Sequence, residues 1–450
     1  MMRSNASILV ALLWCLALLS LAVMGVLHTA RLDLLVVKNH GDSIQAHYLA
    51  LAGVEKAKAL LYHDAKSRSR SRQSHTGELF NAPQEFRDVV FGRGHFQVIR
   101  RGRSDEGGGI IYGVSDEESR INLNAATPEV LARLDGITPG VVAAIMDWRD
   151  YDNAVSPGGA EQEAYLSQPR PSLPRNAMFQ TVRELLMVSG VSPEFALGQD
   201  RDQNGILNSD RGEEGSSTSQ EEVLENAGWS ALLTVNSSVR NLNAAGEKRI
   251  NVQTANEHAL SGIKGITPEI ARAIIAYRAQ TELKNLADLL DVTASAGQNQ
   301  PRSGNSPAGR MSRPGNGSGG PKVISEMLLM DIGDDVTASQ SADVVGAVNI
   351  NTASLNVLAC LPGLNRDLAQ AIISYRRSSG FFPNSAWLLK VPGISRDIFS
   401  QLSPLITTRS ETFRIMSEGR VDSTGARRRV EVIVSVENRD IQTLSYREDL

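Results

Sequence analysis

INLNAATPEVLARLDGITPGVVAAIMDWRD runs from Ile121 to Asp150, and the chain writes the same unit twice more. The other copies are INVQTANEHALSGIKGITPEIARAIIAYRAQ from Ile250 and VNINTASLNVLACLPGLNRDLAQAIISYRRS from Val348. Asn122 to Gly136, Asn251 to Gly265 and Asn349 to Gly363 are each 14 residues. Trp148, Tyr277 and Tyr375 stand 12 residues beyond those glycines, and Arg149, Arg278 and Arg376 follow directly. Spacing kept without gaps means one supersecondary unit used repeatedly. The Ile, Ala and Leu positions of each copy are expected in the core, and the three arginines are expected to anchor local carbonyls or carboxylates.

The chain around these copies has 450 residues, enough for two to four domains, and a net charge of -4, which gives no general argument for nucleic acid. Of its two cysteines, Cys15 lies in an apolar run and Cys360 in the third copy, so no disulfide framework is expected. Ala6 to Leu27 carries no charged residue. As a helix this run spans roughly 33 Å, about one bilayer core. It is too long for a signal-peptide apolar core, and no A-x-A cleavage site follows. Arg3, ahead of the run, favours an inside amino terminus with the rest of the chain exported. Ala46, Leu49, Leu51, Ala52, Val54, Ala57, Leu60 and Leu61 continue at helical spacing without a proline. The pattern predicts one helix from about Ser7 to Tyr62, embedded first and amphipathic later.

Short strands are expected at Phe96–Arg100 and Ile110–Val114, around the loop Gly102–Gly109. A hairpin is expected from Thr412–Arg420 and Arg429–Val436. These distant segments are expected to share one sheet packed on the helix. Asp147, Asp150, Asp152, Glu161 and Glu163 gather carboxylates after the first copy, either as a cation site or as a solvated face. Farther on, Asp200, Asp202 and Asn204 fall at positions 1, 3 and 5 of a calcium loop, with Gly205 at 6 and the Ile206 carbonyl at 7. Position 12 is Arg211 where a glutamate belongs, so Asp210 or Glu213 would have to complete the ligand set. Calcium is the cofactor this spacing suggests, against an Asp/Asn-rich turn. Ala294 to Gly320 is rich in Ser, Gly, Asn and Pro and reads as a disordered linker. No zinc spacing, Walker loop or nucleophile elbow appears, and no enzyme activity is expected.

The segments VALLW at 10–14, ALLSL at 17–21 and HYLALAGVEKAK at 47–58 resemble the general secretion pathway protein K family, the large minor pseudopilins of type II secretion. So does the order DWRDYD at 147–152, GAEQEAY at 159–165 and FQTVRELL at 179–186. The resemblance implies prepilin-peptidase cleavage between Ala6 and Ser7 and methylation of the new amino terminus. It implies a single-pass inner-membrane protein with its bulk in the periplasm, partnered by other minor pseudopilins and pseudopilus subunits. It also implies a place at the pseudopilus tip. The chain departs from the family in having Ala6 where glycine precedes the cut. Ala11 stands where most pilins carry glutamate, an absence the K subunits share.

The repeated unit itself resembles a helix-hairpin-helix module, with turns at Gly136, Gly265, Gly363 and Gly393. DNA-binding hairpins typically read Gly-apolar-Gly and leave amides open to phosphate. Here the second glycine is Thr138, Thr267, Asn365 or Ser395, each a good helix N-cap. Protein packing is therefore expected, and a membrane-anchored DNA-uptake receptor is the alternative.

The expected fold is α+β: a long N-terminal transmembrane helix with a pilin-like antiparallel sheet, interrupted by a mainly α-helical insertion of helix-hairpin-helix modules. The expected divisions are a membrane anchor at 1–30, pilin-like helix and first strands at 31–120, and a first module at 121–198. An acidic, calcium-type region follows at 199–235, a second module at 236–293, a linker at 294–322, a third module at 323–409 and C-terminal strands at 410–450.

Overall fold

The computed structural model describes residues 4–71, 77–167, 171–198, 200, 228–294, 321–437 and 440–448. Helix α1 covers Ser4–Ser71, 68 residues, or roughly 100 Å at 1.5 Å per residue. It runs nine residues past the expected end. Arg68 reaches back to Asp64 at 2.9 Å, and Arg68 and Arg70 place positive charge in the last turn, where it complements the helix dipole. From Ile8 to Gly41 every residue of α1 is exposed. From Asp42 onward the apolar stripe Ala46, Leu49, Ala50, Val54, Ala57 and Leu61 is buried. One helix thus carries two solvent preferences in series, and the described chain has one helix long and apolar enough to cross a membrane.

After α1 come β1 (Val89–Phe91), β2 (Gly94–Arg101), β3 (Ile110–Tyr112) and β4 (Ser115–Asp116). The helical modules follow, and they and the segments joining them carry eight short strands: β5 (Ile121–Asn122), β6 (Leu233–Thr234), β7 (Ser238–Arg240), β8 (Ile250–Asn251), β9 (Val336–Thr337), β10 (Asp343–Val345), β11 (Val348–Asn349) and β12 (Ile406–Thr407). The chain ends in β13 (Thr412–Val421), β14 (Arg427–Glu437) and β15 (Asp440–Arg447). The antiparallel sheet has the order β1-β2-β13-β14-β15, with β3 on β2 and β4 on β13. The expected union of distant strands is present: Met416 pairs with Ile99 and Val421 with Gly94. In this sheet β1 and β4 add to the expected strands, and β15 falls within the C-terminal strands expected at 410–450.

The stripe of α1 packs on this sheet through Val98, Phe413, Ile415, Val430, Val432 and Val434. Close approach depends on glycine. A Cβ on Gly419 would strike the Ala46 carbonyl, and one on Gly53 would strike Ser417 and the Phe96 ring. At Val421–Thr424, beside one end of β13, Thr424 and Ser423 donate to Asp42 of α1. The modules join at the other end of β13, at Thr412. They therefore stand across the length of the sheet from the exposed half of α1.

Each module opens with Ile-Asn or Val-Asn and closes with an apolar residue followed by threonine. The two dipeptides pair as a parallel clasp: β5 with β6, β8 with β9 and β11 with β12. The modules thus run 121–234, 250–337 and 348–407. The stretch at 199–227 consequently falls within the first module, and 295–320 within the second. Inside the second and third modules the two helices of the repeated unit are followed by a 3-10 turn and one further helix. In the third module these are Ser385–Lys390 and Arg396–Leu402, and in the second Leu286–Asp291 and Glu326–Ile332. The first module places an extra helix, Gln162–Leu166, before its 3-10 turn Val182–Met187 and helix Pro193–Leu197. One continuous apolar core joins all three modules, from Ile121 to Ile406.

Candidate functional sites in the modules and their junction

The repeat signature has a common physical origin in all three copies. Asn122, Asn251 and Asn349 leave the clasp and accept, through Oδ1, the amide two residues on, at 2.9, 2.8 and 3.0 Å. Arg149, Arg278 and Arg376 return from the end of the second helix to two main-chain carbonyls. The pairs are Leu123 and Ala126, Val252 and Ala255, and Ile350 and Ala353, at 2.5–2.8 Å. The arginines are structural clamps, and Arg376 additionally donates to Asp105 at 2.9 Å.

Gly136, Gly265, Gly363 and Gly393 have φ of 75°, 99°, 77° and 89°, a region that favours glycine. Thr138, Thr267, Asn365 and Ser395 cap the following helices by accepting from the amides of Val141, Ile270, Leu368 and Ile398. A fifth hairpin, which the sequence reading missed, turns at Gly190 (φ 80°) with Ser192 as cap; its signal was Val-Ser-Gly-Val-Ser. The turns are also covered. A Cβ on Gly136 would meet Phe195 and one on Gly190 would meet Val141; one on Gly363 would meet Gln401 and one on Gly393 would meet Leu368. In the first and third modules, then, each hairpin packs on the helix that follows the other.

Among the carboxylates after the first copy, the structure gathers three. Asp147, Asp150 and Glu161 each place an oxygen within 4.8 Å of the others. Asp147 and Glu161 are buried, and Gly159 is required because any Cβ there would collide with the Asp147 carboxylate. Oδ1 of Asp150, Oε1 of Glu161 and Oδ1 of the adjacent Asn176 have no hydrogen-bond partner among the described residues. Burial raises the Glu161 carboxyl, and Asp147 and Asp150 raise it further. Burial also raises the Asp150 carboxyl, with Asp152 adding to it. Two carboxyl oxygens and one amide oxygen, all lacking donors, fit a divalent cation. Asp152 and Glu163 lie exposed beside this cluster. Of the calcium-type loop, Asp200 is described, and its amide donates to the Leu197 carbonyl at 3.2 Å. Asp202, Asn204, Ile206 and Asp210 lie outside the described residues. The Ala6–Ser7 bond lies within the first turns of α1.

The junction between sheet and modules is built on Asp116, Glu117 and Glu118, three consecutive buried acids that the sequence reading passed over. Asp116 accepts from Asn349, Thr352 and Ser410. Glu117 accepts from Arg414 at 2.7 Å and from Thr234. Burial opposes its charge, yet Arg414, Arg120 and these bonds hold its carboxyl down to about 2. Glu118 accepts from the Thr412 amide at 3.2 Å. Burial and the neighbouring Asp116 push the Glu118 carboxyl well above the usual range. The two carboxyls therefore titrate as a pair. Such a triplet between two serines reads in sequence as a solvated turn, because nothing local reveals the partners more than a hundred residues away.

Residues 119–197 match the family model for type II secretion system protein K, which bears out the resemblance noted in the sequence. Residues 246–294 and 345–407 match the helix-hairpin-helix motif. Among curated proteins, the rat endonuclease/exonuclease/phosphatase family domain-containing protein 1 is 27% identical over 149 residues, 33% of this chain and 26% of that protein. The transcriptional accessory protein Tex of Neisseria gonorrhoeae is 42% identical over 67 residues, 15% of this chain and 9% of that protein. The chain thus spans about a quarter or less of the length of these relatives. Among solved structures, a chain of the GspK–GspI–GspJ complex from the type 2 secretion system of enterotoxigenic Escherichia coli aligns over 91% of this chain and 99% of its own. Its identity is 13% and its TM-score 0.40.

Proposed function

We propose that this chain is a membrane-anchored minor pseudopilin of type II secretion, capping the pseudopilus tip and promoting its assembly for protein export. The observation that carries this reading is the placement of the protein K segment. Residues 119–197 open an insertion between strands of a sheet packed on the second half of a helix whose first half is exposed and apolar. In this reading the apolar half of α1 is held in the inner membrane and then in a bundle with other pilin-like subunits. The modules, at the far end of β13, obstruct the stacking of a further subunit above. The partners are other minor pseudopilins and the prepilin peptidase, which would cut at Ala6–Ser7 and methylate the new terminus, and the bulk of the chain would be periplasmic.

The test is amino-terminal sequencing combined with site-specific crosslinking along α1 in cells. A mature terminus at Ser7 and crosslinks to pilin-like subunits are expected. An unprocessed terminus together with no such crosslinks would sink the reading. We also propose calcium as the cation for Asp147, Asp150 and Glu161, and for the loop at Asp200, Asp202, Asn204, Ile206 and Asp210. Calorimetry on the Glu161→Gln and Asp200→Ala variants tests the two sites separately: each variant is expected to lose one binding event, and an unchanged titration removes that site.

The helix-hairpin-helix match favours a second reading, a DNA-uptake receptor. Against it stand the capped amides and covered turns. Salt-dependent binding of duplex DNA by the full chain would support it, and no binding at low salt would remove it.

A further inference from the structure

The three module mouths are the same device with different fillings. In each, the asparagine Oδ1 is tied to the amide two residues on, which turns Nδ2 outward. At the third mouth, Asn349 Nδ2 donates to Asp116 Oδ2 at 3.0 Å and to Ser410 at 2.7 Å. Thr352 and Ser410 donate to the same carboxylate oxygen. The Asn349 amide donates to the Glu118 carbonyl at 2.7 Å. This mouth is a carboxylate receptor made of one amide and two hydroxyls, and the chain fills it with its own segment Asp116–Glu118. At the first mouth, Ser237 closes on Asn122 at 3.0 Å. Gly346 lies so close to Ala125 that it has no room for a side chain.

The second mouth carries the corresponding residues and no such filling among the described residues. Asn251, Thr254 and Gln340 take the places of Asn349, Thr352 and Ser410; Gln340 stands three residues past the clasp Thr337, as Ser410 stands past Thr407. All three line an open hollow of about 550 Å³. Asn251 Nδ2 reaches the Ser339 carbonyl at 3.0 Å. Asn241, also lining the hollow and only 9% exposed, keeps its Oδ1 without a partner among the described residues. Arg240, Lys248 and Arg249 line the hollow with Asp343; Arg240 is paired with Glu411 and Arg249 with Asp334.

We propose that this hollow receives the carboxylate of an extended acidic segment of a partner protein, seated beside β8 as Asp116–Glu118 is seated beside β11. The carboxylate takes Asn251 Nδ2, the Thr254 hydroxyl and Gln340, with Lys248 supplying charge. A carboxylate at a chain terminus offers the same chemistry as an aspartate side chain, and the test separates the two.

The experiment uses the full chain in detergent and follows the anisotropy of a labelled, end-blocked peptide, Ser-Asp-Glu-Glu-Ser, the chain's own sequence at 115–119. Saturable binding is expected. Replacing the peptide aspartate by asparagine, or combining Thr254→Val with Lys248→Ala in the protein, should weaken it by at least about tenfold, near 1.4 kcal/mol. Both protein positions are exposed, and an unchanged melting curve verifies that the double variant is folded. A peptide whose only carboxylate is its free terminus, if it binds more tightly and shows the same loss in the variant, supports the site and assigns its ligand to chain ends. Absence of saturable binding by both peptides, or binding indifferent to the protein substitutions, would overturn the proposal.

Discussion

Replacing Arg376 should cost more than replacing its counterparts, and the structure says by how much. Arg278 and Arg376 clamp equivalent carbonyls at nearly equal lengths, so loss of the clamp alone should be similar for both. Charged donors to carbonyls contribute about 1.5–3 kcal/mol in total at such a site. Arg376 differs in being buried and in pairing with Asp105, itself largely enclosed and also held by Arg103. Breaking a buried pair by removing one partner costs about 3–5 kcal/mol. Arg376→Gln is therefore expected to lose about 4.5–8 kcal/mol, clamp and pair together, and Arg278→Gln about 1.5–3. Asp105→Asn should recover about 1.5 kcal/mol of the Arg376→Gln loss, because the stranded charge is gone. Urea unfolding of the full chain in detergent measures this, with fluorescence of Trp387 in the third module as the local probe. Equal losses at Arg278 and Arg376, or a coupling between Arg376 and Asp105 below about 0.5 kcal/mol, would refute the idea that this arginine ties the third module to the sheet domain.

Glu118→Gln should stabilise the protein at neutral and alkaline pH and be neutral in acid. A carboxyl raised in the folded state from its ordinary 4.5 makes stability fall as pH rises above that value, by at most about 1.4 kcal/mol per pH unit, up to the folded pKa. The depressed Glu117 acts oppositely, its contribution being lost as pH falls from 4.5 towards about 2, so a pH series of melts on the Glu118→Gln variant isolates the raised group; a constant difference across the series would contradict the assignment. Gly393→Ala should cost about 1–3 kcal/mol, from a positive φ and a collision with Leu368, read as earlier amide exchange in the third module. Excising 241–342 and joining Arg240 to Asp343 through Asn-Gly should leave a folded protein of lower melting temperature, because those residues are Cα partners in an antiparallel pair and suit a two-residue turn. Aggregation of that product would show that the second module is needed to fold the others.

The sequence made the fold legible where one period governs a long stretch. The apolar stripe of α1, the three ungapped copies and the alternation in Thr412–Arg420 all report local geometry, and the structure has each of them. The four hairpin glycines and their caps were legible for the same reason, since φ and capping are decided within five residues. What escaped were features whose partner lies far along the chain. The clasps are two residues long, too short for any alternation to register, so the sequence does not disclose the module boundaries at Thr234 and Thr337, and 294–322 has the composition of a spacer between modules. Gly190 escaped because its hairpin is not followed by a copy of the long second helix. The buried triplet Asp116–Glu118 was invisible because composition marks acids as exposed, and only the meeting of Arg414, Asn349 and Thr412 around them reverses that inference.

The clasps also explain how the modules depend on one another. The first module's mouth is covered by Gly346, from the segment just ahead of the third, and the third module's mouth by Asp116–Glu118, from the segment just ahead of the first. Each seals the other, and neither can close without the chain that leads into its neighbour. The second module stands outside this exchange. It is carried on the pair β7–β10 and touches the third through Arg396 with Asp291, Arg409 with Asp334 and Asn384 with the Met330 carbonyl. Its mouth is sealed by neither. A repeated unit whose end copies are plugged by their own chain, and whose middle copy retains the receptor residues around an open hollow, points to the middle copy as the place where a second protein can be read.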